Sequence, residues 1–153
     1  MRERALTEAE WSALSPGLAA ALQAAGVCPR LRARAHPAAR VAAAWFGAIP
    51  IMAVGRTIWW PGAAADFAGG GATAVLQHEL QHLLDFAEGR LTVLGYLTRP
   101  RNWRYAYALA PGLSWDDLGA EQRASAAEDL WRAERSANAA HAAALKALIP
   151  WAR

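Results

Sequence analysis

The spacing of apolar and polar positions changes several times along the chain, and each change marks an element. Thr7-Glu8-Ala9-Glu10 is a capping box, a Thr cap with a Glu three residues later, and predicts a helix over 8–25. Pro16 interrupts that helix and Gly26 closes it. Over 28–37, Leu31 and Ala33 alternate with Arg30, Arg32 and Arg34, the pattern of a short half-buried strand. Residues 50–60 read as a β-hairpin with arms 51–54 and 57–60 and Gly55-Arg56 at the turn. A loop over 61–71 ends in Gly69-Gly70-Gly71, and a helical period then runs over 72–88 to a stop at Gly89. The stretch 91–110 is mixed and is broken by Pro100. Within it, 102–109 reads as a strand with Trp103, Tyr105 and Tyr107 on one side. Pro111-Gly112 is a turn, and Ser114-Trp115-Asp116-Asp117 resembles a second capping box. A long helical stretch follows over 120–148, kinked near 136–138. Helix, strands, helix, strand or loop, then C-terminal helices is an α+β order. With 153 residues, no repeats and no boundary signal, a single domain over 1–153 is predicted.

Composition adds weight to a few positions. Hydrophobic residues make up 55%, but Ala supplies much of that and buries little area. The eight Trp therefore carry a large share of the apolar surface. The net charge is +3, with Arg clustered at 30, 32, 34 and 40 and again at 99, 101 and 104. These clusters are taken as a solvated surface, since none of the usual nucleic-acid motifs accompanies them. Cys28 is the single cysteine, which excludes an internal disulfide and a Cys-based zinc knuckle. The first ten residues carry charges but no apolar run, so they are not read as a secretory signal. No stretch of 18 apolar residues predicts a membrane span. The expectation is a cytoplasmic chain, unless it leaves by a route that needs no cleaved signal.

The chemistry concentrates in His78-Glu79-Leu80-Gln81-His82. Two His four residues apart on a helix lie on one face and can reach one metal ion. The intervening Glu79 then stands where a general base acts on water at the metal, the arrangement of the H-E-x-x-H peptidases. Zinc lowers the pKa of such water to about 7, within reach of a carboxylate near neutral pH. Leu76, Leu80, Leu83 and Ala87 form an apolar stripe, while His78, His82 and Asp85 fall on a different face.

A catalytic zinc needs a third protein ligand and an open position. Four residues are candidates. Asp85 shares the ligand face, but one straight helix poorly offers three ligands to a tetrahedral ion. Glu88 has the metzincin spacing, yet Asp85 stands where that pattern requires Gly. His141 lies far along the Ala-rich C-terminal stretch. Glu121, at the start of a second helix, is the gluzincin solution and is favoured.

Three segments then carry a resemblance. They are Arg56-Thr57-Ile58-Trp59-Trp60-Pro61, Leu76 to His82, and Arg104-Tyr105-Ala106-Tyr107-Ala108-Leu109 continuing to Gly119-Ala120-Glu121-Gln122. Across roughly residues 45–135 the chain resembles short bacterial "vgr-related" proteins with a zincin-like helix. More distantly it is similar to the HExxH domain of contractile injection system core proteins. The resemblance implies a gluzincin-like fold, a small sheet or hairpin packed on the HExxH helix, with His78, His82 and Glu121 as zinc ligands and Glu79 as base. It also implies a second acidic residue one turn after the ligand Glu, where this chain has Ser125. Asp85, Glu128 or a backbone carbonyl would then have to orient a ligand His.

The function expected is hydrolysis of a peptide or polypeptide amide. Tyr105, Tyr107 and Arg104 are candidate oxyanion donors. The 57–60 arm is expected as an edge strand for an extended peptide, with Trp59 and Trp60 on opposite faces. The alternative is a zinc-stabilised accessory or adaptor of a secretion or injection machine.

Overall fold

The computed structural model describes residues 3–39, 43, 50–62 and 67–153. The capping box forms as predicted: Glu10 N donates to Thr7 Oγ1 and Thr7 N donates to Glu10 Oε2. It opens α1 (Glu8–Ala13). Pro16 can only begin a helix, so the chain breaks at Leu14-Ser15 and restarts as α2 (Pro16–Ala24).

The strands are β1 (Arg4–Ala5), β2 (Arg30–Arg32), β3 (Met52–Val54) and β4 (Thr57–Trp59). They form one mixed sheet in the order β1-β2-β4-β3, with only β2 and β4 parallel. β2 is shorter than its alternating pattern, and β1 lacks enough residues for any pattern to reveal it. The hairpin β3-β4 turns through Gly55, whose φ of 63° lies in the left-handed region that favours Gly.

The 57–60 arm is not an edge strand. β4 lies between β2 and β3, and its Ile58 is fully buried. Among the described residues the free edge beside it belongs to β3. Trp59 and Trp60 do take different neighbours: Arg32 lies over the Trp59 ring, and Trp60 stacks on Phe67.

α3 (Gly70–Ala87) runs against this sheet. Leu76, Leu80, Leu83 and Leu84 join Leu18, Leu22, Leu31 and Ile58 in one core. After it come α4 (Val93–Thr98) and a 3-10 turn at Pro100–Trp103. The predicted strand over 102–109 is not formed. Residues 104–110 carry no regular secondary structure: they lie along the next helix, and no strand ladder takes them up. Side chains of that helix do so: Gln122 Nε2 donates to Ala106 O, and Tyr107 OH donates to Asp129 Oδ2. A period of two marks an extended half-exposed chain, and a strand needs a partner as well.

Ser114 caps only a 3-10 turn, Trp115–Asp117, before α5 (Ala120–Arg135) and α6 (Ala139–Leu148). The predicted kink is a complete break, with Ala137 at φ 57° and Asn138 capping α6. Trp115, Leu118, Leu130, Leu145 and Ile149 fill a second core between these helices. The result is an α+β architecture in which α3 faces the sheet on one side and α5 on the other.

Candidate metal centre

α3 and α5 supply the site. His78 and His82 stand one turn apart on α3, and Glu121 lies in the first turn of α5. All three are buried. His78 Nε2 is 2.9 Å from Glu121 Oε2, and His82 Nε2 is 3.4 Å from the same oxygen. The ligand atoms all lie within 4.8 Å of one another, so the three could hold a metal ion together. A tetrahedral ion bonded at ~2.1 Å separates its ligand atoms by ~3.4 Å, so the distances and the His2Glu donor set fit zinc.

The other candidate ligands have partners elsewhere. Asp85 accepts from Arg123 Nε at 2.8 Å and from Gln81 Nε2 at 2.9 Å. Glu88 is exposed at the end of α3 and pairs with Arg90. His141 lines a neighbouring cleft.

Glu79 is buried in the same pocket, and burial pushes its carboxyl above the usual range against the pull of His82 and His78. Glu128 stands behind His78, with Oε2 3.4 Å from Nδ1. This carboxylate occupies the orienting place that Ser125 leaves empty of charge, and it comes from α5 about one turn further on. His82 Nδ1 is buried without a hydrogen-bond partner, so the two rings are held unequally.

Three carboxylates therefore surround two imidazoles. Burial works against charge on His78, but the carboxylates of Glu121 and Glu128, which accept from its ring nitrogens, and the nearby Glu79 raise its pKa to about 9. Glu121 is held well below the usual carboxylate range: burial opposes this, and His78, His82 and Tyr96 overcome it. The pocket stabilises positive charge between its carboxylates.

Tyr96 is the residue that sequence reasoning missed. Its hydroxyl donates to Glu121 Oε1 at 2.6 Å, which leaves Oε2 toward the His pair. It lies in the mixed stretch 91–110, where no motif marks it. Of the predicted oxyanion donors, Tyr105 reaches the site. Its ring stacks at 6.1 Å from His78, and its hydroxyl lies within electrostatic reach of Glu121. Burial and Glu121 push the Tyr105 phenol up. Tyr107 does not reach it: its hydroxyl is engaged by Asp129 at 2.6 Å. Arg104 is exposed, on the strap beside Tyr105. Tyr105, Tyr107, Ser125, Asp129 and His141 line an open cleft of about 670 Å³ beside the His78–His82–Glu121 cluster.

No protein-family model matches the chain, and no curated protein does. Among solved structures it is similar to the effector domain of Pseudomonas aeruginosa VgrG2b, with 25% identity and a TM-score of 0.67. The match covers 94% of this chain and 80% of that one. The VgrG link expected from three segments thus extends over nearly the whole chain. No described helix is long and apolar enough to cross a membrane.

Proposed function

We propose that the protein is a zinc-dependent peptidase of gluzincin type. The carrying observation is the buried convergence of His78, His82 and Glu121 around one point, with Glu79 in the same pocket. In this reading His78, His82 and Glu121 hold the ion. When bound, zinc supplies a Lewis acid that activates water and polarises the scissile carbonyl.

The chain's own residues do the rest. Glu79 accepts the proton from the attacking water and returns it to the leaving amine. Its raised pKa suits both halves of that exchange. Tyr105 remains a protonated phenol at neutral pH and donates a hydrogen bond to the developing oxyanion. Tyr96 fixes Glu121, and Glu128 fixes His78. Tyr107 acts as a wall of the neighbouring cleft. The free edge of β3 takes over the peptide-pairing role expected of 57–60, because of the two edge strands, β1 and β3, it is the one that packs beside α3.

The similarity to an effector domain favours a catalytic protein over a purely structural adaptor, and association with an injection machine over a resident cytoplasmic role. Digestion of a complex peptide mixture, followed by mass spectrometry, tests the reading. The zinc-loaded protein should produce new termini. Glu79→Gln should keep zinc and lose at least ~100-fold in rate, the low end for removing a general base. Equal rates in the two proteins would remove Glu79 from the mechanism.

A further inference from the structure

Within 91–115, whose ends Leu91 and Trp115 are buried, α4 and the turn after it hold Tyr96 and Asn102 inward and several large apolar groups outward. α4 turns Tyr96 toward Glu121 and leaves Val93, Leu94 and Leu97 exposed by 53%, 70% and 61%. Trp103, tied to α4 through its ring nitrogen, and Tyr105 are exposed as well, by 51% and 59%. Single exposed apolar residues are ordinary, but a contiguous group signals a contact surface.

The exposure does not come from a loose segment. Trp103 Nε1 donates to Tyr96 O at 2.7 Å, and Asn102 Nδ2 donates to Gly95 O at 2.9 Å. Asn102 Oδ1 accepts from Ala120 N, which fastens the turn to the start of α5. Gly119 lies so close to this turn that an added Cβ would meet Arg101 O at 2.1 Å. The backbone holds the apolar side chains outward.

Charge identifies what covers them. Arg99, Arg101 and Arg104 are exposed within the same segment, and no Asp or Glu occurs over 89–115. A face on which guanidinium donors outnumber carboxylates, with Asp117 near Arg101, and which carries apolar side chains and two aromatic rings matches an anionic bilayer surface. Leu and Val can enter the acyl boundary, Trp and Tyr suit the headgroup level, and Arg pairs with lipid phosphate. We propose that 91–115 docks the protein onto an anionic lipid surface. Tyr96 and Tyr105 connect this face to the metal centre, so docking would hold that centre next to polypeptide at the membrane.

Co-sedimentation of the zinc-loaded chain with vesicles tests this. Vesicles of phosphatidylglycerol and phosphatidylcholine in equal parts should pellet the protein, and added salt should release it. Pure phosphatidylcholine should pellet much less. Leu94→Glu with Leu97→Glu should abolish pelleting, and Arg99→Gln with Arg101→Gln should weaken it about fivefold per Arg. Both pairs are surface changes, and an unchanged unfolding midpoint confirms that each variant is folded. Glu79→Gln should pellet like the parent, which keeps this result separate from the peptidase reading. Absence of pelleting, equal pelleting on both lipids, or retention by the Leu variant would overturn the proposal. So would a concentration-dependent dimer lost in the Leu variant without vesicle binding, which would assign the face to a second copy.

Discussion

His78 and Glu121 are 43 positions apart in the chain and 2.9 Å apart in space, and the residues behind them decide how firmly they are held. Glu128 orients His78, while His82 has no such support at Nδ1. Glu128→Gln should therefore weaken zinc binding 10- to 100-fold without unfolding the chain, measured by competition with a chromophoric chelator. An unchanged affinity would mean that Glu128 does not orient the ligand. Much of this was legible in the sequence. His78, Glu79 and His82 are fixed relative to one another by a single helical turn, so their pattern survives without the fold. Glu121 could be ranked first because the alternatives failed on helix geometry or spacing. Glu128 was legible only as one of three possible orienting groups, and Tyr96 not at all, because their side-chain directions depend on how α4 and α5 cross α3.

At the scale of elements, the site depends on α3 and α5 keeping their register. Arg123 and Asp85 clamp them with a buried pair, 2.8 Å apart and with side chains 5% and 0% exposed. Gln81 Nε2 also donates to Asp85 Oδ1, and Arg123 Nη1 donates to Leu118 O. Arg123→Met should cost about 3–5 kcal/mol in denaturant unfolding, because it strands Asp85 in the core. Adding Asp85→Leu should restore most of that loss. A second clamp holds the N-terminal helices to the loop before α3. Buried Glu10 accepts two bonds from Arg4, both at 2.7 Å, and one from Phe67 N at 3.0 Å. Burial raises its pKa, and these donors outweigh that and leave it below the ordinary 4.5. A depressed carboxylate stabilises the fold above its unfolded pKa and loses that contribution as pH falls through the folded value. The unfolding midpoint should accordingly drop on acidification below about pH 4.5, and Glu10→Gln should flatten that dependence while lowering stability at pH 7. The helices and the hairpin were legible because caps, Pro and Gly are local signals. The 102–109 segment was misread because alternation shows an extended chain and says nothing of which backbone groups will pair with it.

For the whole molecule, two helices bring a cation-seeking cluster to a point beside an open cleft, and the segment that supplies Tyr96 to that cluster also presents exposed apolar and arginine side chains. The central claim concerns the cluster. The most direct test is zinc stoichiometry and affinity in the full chain beside Glu121→Ala, with thermal unfolding of each before and after chelation. The account predicts one tightly bound zinc in the parent, a clear fall in its unfolding midpoint on chelation, and neither property in Glu121→Ala. A variant that binds zinc as tightly as the parent, or a parent that binds none, would contradict it.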